Sequence, residues 1–353
     1  MTICISVRYT IVLWFDPARE IVTVCGSPIL LMKKILLIAL TISLIPAFAA
    51  EKGDALLSPK AAGKDFVIQG EYSGEDAEGE RVGLNIIALG DGKFRGVGFM
   101  GGLPGDGWDQ GEKLPFTIKS DGDKMIFTDP DTNEYEVKIK GGKLMAWLDG
   151  NKSHDLKKVT RKSPTMGAKP SKGAVILFDG TSVDKFKNAK LSEDKLLVPR
   201  ADSIQRFGSH KLHIEFFLPF KPKARGQGRG NSGCYLQGRY EVQVLDSFGL
   251  EGKNNECGGI YSIKAPDLNM CYPPLSWQTY DIEFTAAKFK DGKKLEDARM
   301  TVLHNGVKIH DNVKLPKRTT ASPLPEGAEP GYLHLQDHGN PVRYRNIWVL
   351  ETD

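Results

Sequence analysis

The sequence predicts an all-β protein: a two-sheet sandwich of jelly-roll type preceded by a smaller β unit. Apolar residues recur in short alternating runs, Gly/Asp turns separate those runs about every 8–12 residues, and amphipathic helical periods of useful length are absent. The chain has 353 residues, 40% apolar and 26% charged, with 38 Gly and 20 Pro. That composition excludes a disordered chain, a collagen repeat and a coiled coil. The formal charge of +4 sets 48 basic against 44 acidic residues, which gives no electrostatic case for a nucleic-acid partner.

Met32-Lys33-Lys34 leads into an apolar stretch over 35–48, which ends Ala47-Phe48-Ala49-Ala50. This is the layout of a secretory signal cut after Ala49 or Ala50, with Met32 the better start. The stretch is shorter than the roughly 20 apolar residues of a membrane span. It predicts a mature chain without a membrane span, periplasmic or secreted. Residues 51–63 read as a mobile leader. An accessory β unit then extends to 165, with strands at 66–68, 82–89, 94–99, 116–118, 125–127, 135–139 and 144–147, a small meander sheet or barrel. Residues 166–173 form a basic, Pro-containing linker. The second unit, 174–353, has strands at 174–178, 210–218, 232–237, 240–245, 259–263, 279–285, 299–304, 331–336 and 342–350, with 219–231 and 286–297 as solvated Lys-rich excursions.

Three runs carry candidate chemistry. In Gln237-Gly238-Arg239-Tyr240-Glu241-Val242-Gln243-Val244-Leu245-Asp246, the apolar Tyr240, Val242 and Val244 alternate with Arg239, Glu241 and Gln243. Alternate residues of a strand share a face, so the three polar groups form a row suited to gripping polar ligands. Asp246 falls at the strand end, where it caps a turn or enters the same groove. In His334-Leu335-Gln336-Asp337-His338-Gly339-Asn340, His334, Gln336 and His338 share a face but spread over about 13 Å, too far for two-His chelation. His338, at the strand's end, is the candidate proton carrier. Arg343 and Arg345 are outer-sheet charges or sugar-binding groups.

Cys234 reads as a small buried residue, and Cys257 and Cys271 could close one loop as a disulfide in an oxidising compartment. Asp129-Pro130-Asp131-Thr132-Asn133 mimics a calcium loop but lacks its later Gly and Glu and reads as a turn. Trp108, beside several glycines, reads as a loop anchor, with sugar stacking the alternative.

Taken in order, Phe178-Asp179-Gly180-Thr181, Asn231-Ser232-Gly233, the run from Tyr240 to Asp246, Gly258-Gly259-Ile260-Tyr261, Trp277-Gln278-Thr279-Tyr280, Asn305-Gly306 and Leu335-Gln336-Asp337-His338-Gly339 with Arg345-Asn346-Ile347 resemble the 3-keto-disaccharide hydrolase domain family over roughly 174–351. The family's usual Trp after the opening Phe-Asp-Gly is represented only by Phe186, and 219–230 is a longer basic insertion. The resemblance implies a concanavalin A-like, laminin-G-like jelly roll. It also implies cleavage of glycosides whose glucose C3 is a ketone, with a small carbohydrate as partner. No chemistry is implied for 51–165.

A C3 carbonyl acidifies the C2 hydrogen, so C1–O can break by elimination and water can then add. That chemistry needs a base, an electrophile for the C3 oxygen and an acid for the leaving oxygen. On this reading Glu241 is the base and His338 acid or base, while Asp246 orients or binds a cation. Arg239 and Gln243 hold the enolate or hydroxyls, and Tyr261, Gln336 and Arg343 contact the sugar. No cofactor is required; a divalent metal at the C3 oxygen is compatible, but no ligand spacing demands it. The alternative is a non-catalytic carbohydrate-binding module on the same sandwich, which would favour exposed aromatics over an Arg-Glu-Gln row. A conventional jelly-roll glycosidase would want a Glu-x-Asp-x-x-Glu run, absent here.

Overall fold

The computed structural model describes residues 54–121 and 124–352. The signal sequence read over 32–50 lies outside the described residues. Eight antiparallel strands close into a barrel in chain order: β1 (Gly70–Asp76), β2 (Arg81–Gly90), β3 (Lys93–Met100), β4 (Lys113–Asp121), β5 (Lys124–Thr128), β6 (Glu134–Lys140), β7 (Lys143–Leu148) and β8 (Asn151–Val159). Alternation sends Tyr72, Leu84, Ile86, Phe94, Phe127, Val137, Leu144 and Leu156 into its interior.

Residues 66–68, expected as a strand, instead finish a helix, α1 (Pro59–Ile68). Three adjacent apolar residues do not distinguish the two states; the caps decide it. Ser58 accepts a hydrogen bond from Ala61 N, and Pro59 occupies the first turn, where its missing N–H is not needed. The helix packs Ala62, Phe66 and Ile68 on the barrel core. The expected mobile leader is also corrected: Leu56 pairs with Phe220 through reciprocal backbone hydrogen bonds of 3.0 and 2.9 Å.

The second unit is a sandwich. One sheet has five strands in the order β10 (Phe186–Lys187), β11 (Ala201–Phe207), β20 (Gly331–Asp337), β13 (Ser232–Leu236) and β14 (Tyr240–Val244). The other has six, in the order β19 (Val307–Leu315), β18 (Ala298–His304), β15 (Trp277–Thr285), β12 (His210–Phe217), β21 (Arg343–Glu351) and β9 (Val175–Phe178). The hairpin of β16 (Lys288–Lys290) and β17 (Lys293–Glu296) stands apart from both. Between the sheets lie Cys234, Leu236, Val242, Val244 and Leu335 from the first, and Leu212, Ile214, Phe216, Tyr280, Ile282 and Tyr344 from the second.

Two connections differ from expectation in a way that places the site. The 219–231 segment, read as solvated, buries Phe220, Ala224 and Arg229; Arg225 Nη2 donates to Leu89 O of the barrel at 2.9 Å. The linker lies along the outer face of the six-stranded sheet. Thr165 Oγ1 donates to Asp281 at 2.6 Å, Gly167 N to Glu215 at 2.6 Å, and Asn346 Nδ2 to Ala168 O at 3.0 Å. That face is therefore covered by the linker, whereas on the outer face of the five-stranded sheet Asp202, His334 and Gln336 keep partial exposure.

Candidate active site

Strand pairing builds a polar row across that outer face. Asp202 pairs with His334, His334 with Tyr235, and Tyr235 with Glu241. Residues 258–261 run along the far edge of β14, where Tyr261 N donates to Glu241 O at 3.2 Å, and so Tyr261 extends the row. The core-facing neighbours Cys234, Val242 and Leu335 fix the alternation that turns all five outward. Each step between strands is about 4.8 Å, which puts the backbones of His334 and Glu241 about 10 Å apart.

The row is linked by hydrogen bonds. His334 Nδ1 lies 2.6 Å from Asp202 Oδ1, so the carboxylate orients the imidazole and leaves Nε2 for chemistry. Gln336 Nε2 donates to Tyr235 Oη at 3.0 Å, and the Tyr235 hydroxyl in turn donates to the Glu241 carboxyl. Tyr235 and Glu241 form the buried floor, while Asp202, His334, Gln336 and Tyr261 are half-buried at its rim. Burial pushes the Glu241 carboxyl up to about 8, against a smaller opposing effect of the Tyr235 hydrogen bond. It holds a proton at neutral pH. Burial also raises the Tyr235 phenol, which stays a hydrogen-bond donor.

Gly233 makes room for this arrangement. It sits beside Tyr235 on β13, and a Cβ there would lie 2.2 Å from Glu241 Oε1. Beside Tyr261 opens a cleft of about 400 Å³, walled by residues 261–263 and 317–321. Thr319 ties this wall to the strand: its Oγ1 accepts from Glu241 N at 3.0 Å and donates to Arg239 O at 3.1 Å.

Of the residues singled out from sequence, Glu241 and Tyr261 lie in this row, and Gln336, one rung along opposite Gly233, hydrogen-bonds to it. The others do not. Arg239 is turned to the loop that covers one end of the face, donating to Pro325 O at 2.7 Å, Glu329 O at 2.9 Å and Gln237 Oε1 at 2.9 Å; it anchors that loop. Gln243 is buried, donating to Gln227 Oε1 and accepting from Val244 N, each at 3.0 Å. His338 is exposed beyond the end of β20, two side-chain rows from Glu241. Arg343 lies on β21 of the other sheet, where it alternates with the core residue Tyr344. Cys257 and Cys271 are free thiols, not a disulfide; Cys257 Sγ lies 3.2 Å from Tyr280 Oη, and Cys271 Sγ is 3.6 Å from Leu245 O.

Asp246 is also corrected. It holds Arg229 in a buried ion pair at 2.6 Å, and its other oxygen accepts from Phe248 N at 3.3 Å. Its role is to seat the 219–231 segment. Asp246→Ala should destabilise the protein by about 3–5 kcal/mol, because it strands a buried guanidinium. Urea unfolding monitored by fluorescence checks this; a loss below about 1 kcal/mol would remove the ion pair from the account.

Sequence reading did not single out Asp202 or Tyr235, and it chose His338, which lies beyond the end of β20, over His334, which lies in the row. Only alternation within 232–236 and 331–337 carried a signal for Tyr235 and His334; nothing local marks Asp202. No group of three or more His, Cys, Asp or Glu side chains placed to hold a metal occurs among the described residues.

Residues 201–350 match the family described as the 3-keto-alpha-glucoside-1,2-lyase-like domain. The span contains the whole row and none of the barrel. The chain belongs to this family through that domain, which places it among carbohydrate-active enzymes. Similar solved structures include a candidate glycosyl hydrolase from Parabacteroides distasonis, 31% identical over 51% of this chain and 84% of that one, with a TM-score of 0.47. A second from the same organism is 19% identical over 52% of this chain and 95% of that one, with a TM-score of 0.38. No curated protein matches the chain.

Proposed function

We propose that the chain is an exported enzyme that cleaves 3-keto-glucosides by elimination followed by hydration. The observation that carries this reading is one cross-strand row with an Asp-oriented imidazole at one end and a proton-holding carboxyl at the other. The family description supplies the substrate class, and the leader at 32–50 supports export to the periplasm or beyond.

His334 takes the role first assigned to His338. Oriented by Asp202, its free Nε2 removes the C2 proton. The C2–H electrons form the C1=C2 bond as the C1–O bond breaks. Glu241, kept neutral by burial, gives its proton to the departing oxygen. Charge building on the C3 oxygen is met by the second N–H of Gln336, whose other N–H is held by the Tyr235 oxygen. Water then attacks C1. Glu241, now ionised, takes the water's proton and His334 returns one to C2, so both groups regain their starting states and the net reaction is hydrolysis. Tyr261 and the cleft beside it receive the sugar.

The test is to incubate the purified protein with 3-keto-trehalose in deuterated water. The expected result is glucose and 3-keto-glucose, with deuterium at C2 of the keto sugar beyond that acquired by exchange in control incubations. Cleavage without such deuterium would replace elimination by direct displacement. Binding without turnover would make the domain a carbohydrate-binding module.

A further inference from the structure

We propose a second carbohydrate site, for a single uncharged sugar ring, in the cleft between barrel and sandwich. The cleft holds about 210 Å³, below the about 300–1,000 Å³ of drug-sized sites, so it suits one ring and not a chain. Barrel residues line one side, among them Glu71, Asn85 and Trp108, and the loops around Leu250 and Asn269 line the other.

Two buried polar atoms in its lining have no hydrogen-bond partner: Asn85 Oδ1, an acceptor, and Trp108 Nε1, a donor. Asn85 is only 4% exposed. It sits on β2 between Leu84 and Ile86, which belong to the barrel interior, so alternation turns its amide out of the barrel. Buried polar atoms without partners are costly and uncommon. Both atoms belong to residues that line one cleft, and a ligand with a donor and an acceptor, as every sugar hydroxyl has, would partner them. The Trp108 indole, packed edge-on against Phe99 at 5.0 Å, adds the apolar surface that sugar C–H groups need.

The charges in the lining exclude an ionic ligand. Arg161 pairs with Glu71 through both carboxylate oxygens, Lys113 pairs with Glu251 at 2.8 Å, and Asp267 pairs with Lys264. Each charge is matched, so the cleft is polar without a net sign. None of these residues belongs to the row on the five-stranded sheet, and the inference does not depend on the chemistry proposed there.

Ligand-observed NMR titration of the purified protein with methyl α-glucoside tests this. Saturable binding is expected, weakened about tenfold by Asn85→Leu and by Trp108→Phe, the effect of losing one hydrogen bond. Binding should persist in Glu241→Gln. Asn85→Leu should also raise the melting temperature, because it replaces an unpartnered amide by an apolar group of similar shape. Turnover of 3-keto-trehalose should be unchanged in both cleft variants. The proposal is overturned by the absence of saturable binding, by wild-type affinity in both cleft variants, by loss of binding in Glu241→Gln, or by a lowered melting temperature in Asn85→Leu, which would make Asn85 a support of the fold.

Discussion

Replacing His334 by Gln is expected to lower kcat on a 3-keto-glucoside by about 10²–10⁴-fold, the contribution of a positioned acid–base group. Glutamine keeps a polar side chain beside Asp202 but cannot carry the proton from C2. KM should change little, because the lost interaction belongs to the transition state. Asp202→Asn should also be impaired, since an amide opposite Nδ1 no longer fixes the imidazole in the tautomer that leaves Nε2 free. His338→Gln, two rows away and exposed, should stay within about twofold of wild type, as surface substitutions commonly do. Steady-state kinetics on the three variants checks this. Loss of activity in His338→Gln with an active His334→Gln would reverse the assignment.

Glu241→Gln is expected to cost a similar factor in kcat, about 10²–10⁴-fold, by removing the proton given to the leaving oxygen. Its pH dependence makes the prediction specific. The carboxyl must be protonated to act as acid, so the wild-type rate should fall as pH rises through about 8. That limb should vanish in Glu241→Gln. The substitution should move stability the opposite way, upward. Burial raises this carboxyl from 4.5 to about 8 in the folded protein, so between those values the folded state holds a proton that the unfolded chain has released. Folding stability attributable to Glu241 therefore declines as pH rises across that window. The neutral amide escapes this, and Glu241→Gln should melt at a higher temperature than wild type at pH 8. Parallel thermal melts and pH–rate profiles check both halves; an unaltered alkaline limb would assign it to another group.

The legible part of the site was local. Alternation of Tyr240, Val242 and Val244 with polar neighbours placed Glu241 on an outward face, and the same pattern placed His334 and Gln336. Strand order was not legible. That β20 enters the sheet between β11 and β13 is decided by the packed core, and it is this insertion that puts His334 beside both Asp202 and Tyr235. Strand ends were equally hidden: β20 stops at Asp337, so His338 leaves the face its spacing suggested. Arg239 and Asp246 looked like ligand groups because charge in a strand has few other uses. Their partners, the carbonyls of Pro325 and Glu329 and the guanidinium of Arg229, come from loops whose path no period encodes. The helix α1 was missed for the reverse reason: its signals are caps, Ser58 and Pro59, and its apolar residues are too few to show a period.

The central claim is that one row on one face of the sandwich does the acid–base work. A crystal structure of Glu241→Gln grown with 3-keto-trehalose tests it most directly. The account predicts the keto ring over Tyr235, with C2 facing His334 Nε2, the C3 oxygen within hydrogen-bond reach of Gln336, and the glycosidic oxygen at the residue-241 side chain. A ring bound on the linker-covered sheet, or one whose C2 meets no group of the row, would contradict it.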